Sequence, residues 1–317
     1  MSPGSNNRAP ATEALRLRAR RPYLLLRARL IQALRSFFEE RGYLEVETPH
    51  LVREVAPEAH IEPVAADGGL LHTSPELCMK RLLAAGYSRI FQVARCFRKG
   101  ERGSLHLQEF TLLEWYRAEA DYRDMMEECE LLMRFVCRRL GLGEQFRYRD
   151  RPVDLRGPWE RISVSEAFER WAEVSAQEAV ERGLFDDFMV DRIEPRLKGE
   201  SPVFLYDYPA PLAALARLKP GASHLAERFE LYVGGVELAN AFSELKDPAE
   251  QERRFRKERR ARETAGRMDY GLPRKFLRAL DAMPDAAGIA LGVDRLAMIL
   301  ADRGCIDDVV TFTPDDL

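Results

Sequence analysis

Glu230 and Glu237 stand on either side of Gly234-Gly235 in the run Phe229-Glu-Leu-Tyr-Val-Gly-Gly-Val-Glu-Leu238. If the glycines form a two-residue turn, Val233 opposes Val236, Tyr232 opposes Glu237, and Glu230 shares the face of Tyr232. The carboxylates are then diagonal neighbours, about 7–8 Å apart at the backbone, within reach of one hard divalent cation. Taken alone, such a pair more often means a solvated strand face.

Two further segments change that balance. The charged loop Phe97-Arg-Lys-Gly-Glu-Arg-Gly-Ser-Leu-His-Leu-Gln-Glu-Phe110 sets Arg98 at the end of one expected strand and Phe110 at the start of the next. An arginine held there can fork onto a phosphate, and a phenylalanine can stack on a flat base. Near the C-terminus, Ala290-Leu-Gly-Val-Asp-Arg295 joins an apolar strand to a helix, so Gly292 admits a ligand to the backbone and Arg295 adds a second cation.

The elements that must position these groups are legible in the apolar spacing. Leu26, Leu30, Leu34, Phe37 and Phe38 predict a helix over 23–41 ended by Gly42, followed by a strand leading to Pro49. Pro75 marks a helix start, 90–97 and 110–116 read as strands, and 121–140 reads as an amphipathic helix closed by Gly141. A strand near 204–206, the hairpin, a charged helix over 248–265 and the strand-to-helix unit at 287–301 complete the body. Residues 1–20 read as a disordered basic tail and 142–200 as a helical insertion. The expected fold is α/β (α+β), one domain over 21–317 on a mainly antiparallel sheet flanked by helices.

Composition narrows the function classes. The chain has 317 residues, a formal charge of −3 and 46% hydrophobic residues, which suits a packed core and supplies no global field toward nucleic acid. Five widely spaced cysteines without a CxxC pair argue against a disulfide framework or structural zinc and favour the cytoplasm. The apolar run at 23–26 is too short to span a bilayer, so no membrane is expected.

In this order the segments resemble the three signature motifs of class II aminoacyl-tRNA synthetases: Tyr43-Leu-Glu-Val-Glu-Thr-Pro49 after its helix, Phe97-Arg98 through Glu109-Phe110, and Gly292-Val-Asp-Arg295. His72-Thr-Ser-Pro-Glu-Leu-Cys-Met-Lys80, Glu109-Phe-Thr-Leu-Leu-Glu-Trp-Tyr116 and Val236-Glu-Leu-Ala-Asn-Ala-Phe-Ser-Glu-Leu245 are similar to the lysine-specific branch, and the likeness covers about residues 22–312. With only a short segment before the first motif, the layout resembles the paralogues of that branch that attach β-lysine to a lysine of elongation factor P. The resemblance implies an antiparallel class II sheet, an acyl-adenylate formed from ATP with Mg²⁺, β-lysine or lysine as substrate, elongation factor P as acceptor in preference to tRNA, and a homodimer formed through the first motif.

It also implies residue roles. Arg98 and Arg295 would be catalytic. ATP would lie against Arg98, Lys99, Gly100, Glu101, His106, Leu107, Phe110, Glu237, Leu238, Gly292 and Arg295, with its adenine between Phe110 and Arg295 and Mg²⁺ on Glu230 and Glu237. Ser74, Pro75, Glu76, Tyr116, Asn240, Glu244 and Ala290 would hold the amino acid, Glu244 assisted by Tyr116 as an anionic end-stop. Ala290 stands where lysine-specific synthetases carry glycine. The chain departs from the family at Lys99-Gly100, where Asn-Glu is usual, and at Leu107-Gln108, where Asn-Pro is common, so a partner-binding pseudo-enzyme, transfer to tRNA and a free amino-acid ligase stand as alternatives. No residue stands out as base for the acceptor amine.

Overall fold

The computed structural model describes residues 13–317. A nine-stranded sheet forms its centre, in the order Leu44–Glu45, Arg89–Phe97, Glu109–Ala118, Ala286–Gly292, Val236–Ser243, Ala222–Val233, Val203–Pro209, Glu160–Ser163, with Leu218–Lys219 paired onto Ala222–Val233. The two end pairings are parallel and those between are antiparallel.

Period-two alternation divides the sheet into an apolar and a polar face. Leu113 and Trp115, Ala239 and Ala241, and Ala287, Ile289 and Leu291 belong to the main core. Their neighbours Glu114 and Tyr116, Asn240 and Phe242, and Gly288 and Ala290 line a cavity on the opposite side. Three helices cover the apolar face: Glu13–Glu39 with Leu30, Leu34, Phe37 and Phe38, Tyr122–Leu140 with Met125, Leu132 and Val136, and Val293–Leu300 with Leu296 and Ile299. The middle helix is closed at both ends by its sequence: Asp121 accepts from the Arg123 and Asp124 amides, and Gly141 turns out at φ 76°.

Three expectations change. Residues 13–20, read as tail, form the first turns of the Glu13–Glu39 helix, which runs through Pro22; Arg20 anchors them by a 2.7 Å bond to Asp316, a tertiary contact that sequence periodicity does not carry. The rest of the expected tail, residues 1–12, lies outside the described residues. The 142–200 segment is not wholly helical. It opens with a Gln145–Tyr148/Arg151–Asp154 hairpin, places Glu160–Ser163 in the main sheet, and buries Tyr148, Val153 and Trp159 in the main core. Only the helical remainder packs as a satellite, around Phe168, Phe185 and Ile193. Finally, the charged Pro248–Thr264 helix is more than a solvated face. It buries Gln251, Phe255 and Arg262, and Arg262 donates to the Glu58 and Ile61 carbonyls and to Glu62, fastening that loop over the cavity.

Among the described residues no helix is long and apolar enough to cross a membrane.

Candidate active site

A cavity of about 1010 Å³ opens on the polar face of the sheet and holds two chemically distinct ends. Arg98 and Arg295 mark one end, and Glu76 and Glu114 mark the other.

At the cationic end, Arg98 follows the Arg89–Phe97 strand, and its amide donates to the Gln108 carbonyl at 2.8 Å, closing the base of the charged loop. Its guanidinium stands 5.0 Å from the Phe110 ring centroid, and its buried Nε has no hydrogen bond. A phosphate or carboxylate oxygen is the kind of partner such an orphaned donor requires. Arg295 faces it from the first turn of Val293–Leu300, donating to the Glu237 carbonyl at 2.8 Å and lying 2.6 Å from His106 Nε2. Burial and the Arg295 charge push the His106 imidazole below its ordinary pKa, so its bare nitrogen accepts from the guanidinium. Arg98 thus lies over one face of the Phe110 ring, and Phe110 and Arg295 both line the cavity.

The two departures from the family pattern meet each other. Gly100 takes φ 80°, and its amide donates to the Gln108 side chain at 3.0 Å. Leu107 is buried and lines the cavity, whereas Lys99 and Gly100 do not reach it; the Lys99 amide turns away to the Glu62 carbonyl. Any contact from these two to a nucleotide has to come from elsewhere in the loop, where Glu101 lines the cavity 3.9 Å from Arg98.

The hairpin forms as expected at its tip, with Tyr232 opposite Glu237, Val233 opposite Val236, and both turn glycines at positive φ. A bulge then leaves Leu238 unpaired, so Glu230 sits opposite Asn240. Glu237 lines the cavity; Glu230 does not, and its oxygens are engaged by Arg228 at 2.7 Å and Tyr232 at 2.8 Å. The two carboxylates are therefore unequal, Glu230 being partly neutralised by protein cation and hydroxyl. Glu237 remains above its ordinary pKa because it is desolvated and beside the Glu230 charge. A divalent cation relieves that repulsion, and one or two carboxylates completed by substrate phosphates is the usual Mg²⁺ donor set, so these residues fit the ion. Among the described residues no group of three or more His, Cys, Asp or Glu side chains is placed to hold a metal by itself.

At the anionic end, Ser74 donates to Glu114 at 2.6 Å and accepts from the Glu76 amide at 3.0 Å. Tyr116 donates to Glu114 at 2.8 Å, so it supports that carboxylate and not Glu244 as the motif had suggested. Glu244 lies just behind the lining, its Oε2 2.5 Å from Lys80 Nζ in a charge contact outside hydrogen-bond geometry. It is therefore not a free end-stop. Burial drives the Glu244 carboxyl up to about 8, and burial together with the Glu76 charge takes Glu114 up to about 7. Gly288 makes the room: a Cβ there would come within 2.3 Å of the Tyr116 ring and 2.6 Å of Glu244 Oε1. Ala290, opposite Glu114 and Asn240 in the sheet, places its methyl between these two ends. Pro75 caps the Glu76–Ala84 helix without lining the cavity.

The motifs had not singled out Glu114, Lys80, Gly288 or Asp294. Each has a local signal: Glu114 is two before Tyr116 on one strand face, Lys80 is one helical turn from Glu76, and Gly288 is two before Ala290. Asp294 accepts from the Thr111 amide at 2.7 Å and from Arg27 at 2.8 Å, tying the junction that carries Arg295 to the strand that carries Phe110. Only a partner 183 residues away reveals that role.

The sequence profile of tRNA synthetases class II (D, K and N) matches residues 10–316. The elongation factor P–(R)-β-lysine ligase of Vibrio cholerae serotype O1 is 38% identical over 303 residues, covering 90% of this chain and 93% of that protein. The corresponding ligase of Salmonella arizonae is 37% identical, with 93% and 95% covered. The lysine–tRNA ligase of Magnetococcus marinus is 35% identical over 315 residues, and the chain spans 62% of its length.

Proposed function

This chain belongs to the class II tRNA synthetases (D, K and N), and on that premise we propose that it is an ATP-dependent ligase that activates β-lysine or lysine as an acyl-adenylate and transfers it to a lysine of elongation factor P. The observation that carries the reading is a single cavity with Arg98 and Arg295 at one end and Glu76, Glu114 and Glu244 at or just behind the other. A molecule with a triphosphate and a diammonium carboxylate complement that distribution of charge. The acceptor assignment draws support from the ligase relatives, matched over nearly their whole length, against 62% of the tRNA ligase.

The chemistry needs no protein nucleophile. The amino-acid carboxylate attacks the α-phosphorus of ATP, pyrophosphate leaves, and the acceptor amine then attacks the mixed-anhydride carbonyl, releasing AMP and forming an amide. Arg98, with its unpaired Nε, sits where charge accumulates on the pentavalent phosphorus and holds the attacking carboxylate in line. Glu237, and Glu230 more weakly, would hold Mg²⁺, which supplies neutralisation of the phosphate charge. The wall formed by Leu107, Phe110 and Leu112 excludes water from the reactive anhydride.

The body from the Glu13–Glu39 helix onward acts as one catalytic domain in this reading. Exposed Leu25, Leu44 and Leu51, on the first helix and the strands that follow it, support a homodimer, for which sedimentation at low concentration is the test. The activity is tested by incubating the protein with ATP, Mg²⁺ and labelled lysine or (R)-β-lysine, then offering elongation factor P or tRNA. Label on elongation factor P is expected; label on tRNA alone overturns the acceptor assignment.

A further inference from the structure

Lys80 lies just behind the carboxylate end of the cavity, where it bridges Glu76 and Glu244, while Arg254 of the cavity lining turns to Glu250 and to the Ala214 and Ala216 carbonyls. Its side chain is fully buried, its Nζ lies 2.6 Å from Glu76 Oε1 and 2.5 Å from Glu244 Oε2, and the Phe242 ring packs beneath it at 4.8 Å. Burial pulls the ammonium down, but the Glu244 and Glu76 charges outweigh that and hold it protonated. With Glu76, Glu114 and Glu244 all ionised, the Lys80 ammonium leaves two negative charges in the pocket.

We propose that Lys80 is a positioning residue for specificity: bridging Glu76 and Glu244, it favours the ionised form of Glu244, so that with all three carboxylates ionised the amino-acid pocket carries two negative charges, the complement of a substrate with two ammonium groups. The inference rests on the reading of this pocket as a diamino-acid site. Its physical basis is that Glu244 is desolvated and its Oε1 lacks any hydrogen bond, so Lys80 is the nearest charge that favours its ionised form. A protonated Glu244 attracts no ammonium.

The surrounding groups leave that task to Lys80. From the Glu109–Ala118 strand, Glu114 and Tyr116 face the pair; the Glu114 charge opposes ionisation of Glu244, and the Tyr116 hydroxyl, held neutral by burial, adds no charge. Glu58, in the loop held by Arg262, repels Glu76, and the cation that acts most on Glu58 itself is Arg98, at the phosphate end. Arg217, beside the Ala216 that bridges to Glu244, turns instead to Glu227 and Asp285.

The test is amino-acid-dependent ATP–pyrophosphate exchange with lysine and β-lysine from about pH 6.5 to 9, in the wild type, Lys80→Met and Lys80→Arg. Lys80→Met is expected to raise KM roughly tenfold at pH 7, the excess shrinking to about twofold at pH 9 as Glu244 ionises, with kcat changed less than KM. Lys80→Arg keeps the charge and therefore the wild-type pH limb. A KM increase of the same factor at every pH, or a limb displaced equally in Lys80→Arg, would reduce Lys80 to a structural role and overturn the proposal. Should Lys80→Met fail to fold, Lys80→Gln is measured in its place: the same pH-dependent KM excess is expected, and an excess equal at every pH overturns the proposal. Exchange with neither diamino acid in the wild type would instead sink the underlying reading of the pocket.

Discussion

At Glu244 a raised carboxyl pKa has a definite sign in catalysis. With its pKa at about 8, the side chain is largely protonated at neutral pH in the free protein and ionises as pH rises, so KM for lysine should fall between about pH 7 and 8.5 and then level. Glu244→Gln should remove that pH dependence and raise KM more than it lowers kcat, as steady-state exchange kinetics would reveal. Glu237→Gln acts at the other end and should abolish adenylate formation while leaving lysine binding, read by calorimetry, within about threefold. Ala290→Gly removes the methyl between the two ends, and a shift of preference toward α-lysine is expected; unchanged relative rates for the two isomers would exclude it as the discriminator, at a scale of about 1–3 kcal/mol. These residues were readable from motif position, but the partner of Glu244 was not: Lys80 lies 164 positions earlier, and nothing in local spacing joins them.

Elements decide how firmly the arginines of the cavity are held. The helix carrying Arg295 is fastened by Asp294 to Thr111 and Arg27, a buried carboxylate serving two other elements at once. Asp294→Ala leaves the Arg27 guanidinium and the Thr111 amide without their partner and should cost about 3–5 kcal/mol, measurable by urea unfolding. The loop between Arg98 and Phe110 is held differently, by the Gln108 side chain on Gly100. Gln108→Ala should leave stability nearly unchanged and raise KM for ATP several-fold, since the bond is exposed and belongs to a loop. Strand and helix positions here follow from apolar periodicity, which is why 90–97, 110–116 and 121–140 were legible. The bulge at Leu238 was not, because it depends on how the hairpin twists against its neighbours. The same limit explains the misread 142–163 segment: Glu160–Ser163 is a strand only because Val203–Pro209 is there to pair with, and the hairpin before it joins the core through Tyr148 and Val153.

Across the whole molecule, the carboxylate end is a destabilising feature kept for function. Glu114 and Glu244 ordinarily titrate near 4.5 but are held at about 7 and about 8 in the folded chain, so folding takes up protons between those limits. Their contribution is complete below about pH 4.5 and is lost as pH rises through 7 and 8. Thermal unfolding of the free protein should thus show Tm declining on going from pH 6 to 8.5, and saturating lysine should offset the decline by supplying the missing cations. An unliganded Tm flat over that range would mean that both carboxylates are ionised throughout. The sequence by itself determined the family and the polar and apolar faces of the sheet, and it marked Arg98, Phe110, Glu237 and Arg295 among the groups that line the cavity, since motif order and period-two alternation are local properties of the chain. Only the tertiary structure decided which charges neutralise which. Glu230 went to Arg228, Glu244 to Lys80 and Tyr116 to Glu114, because ion pairing in a desolvated pocket depends on distances of a few ångströms between strands and helices that are remote in sequence.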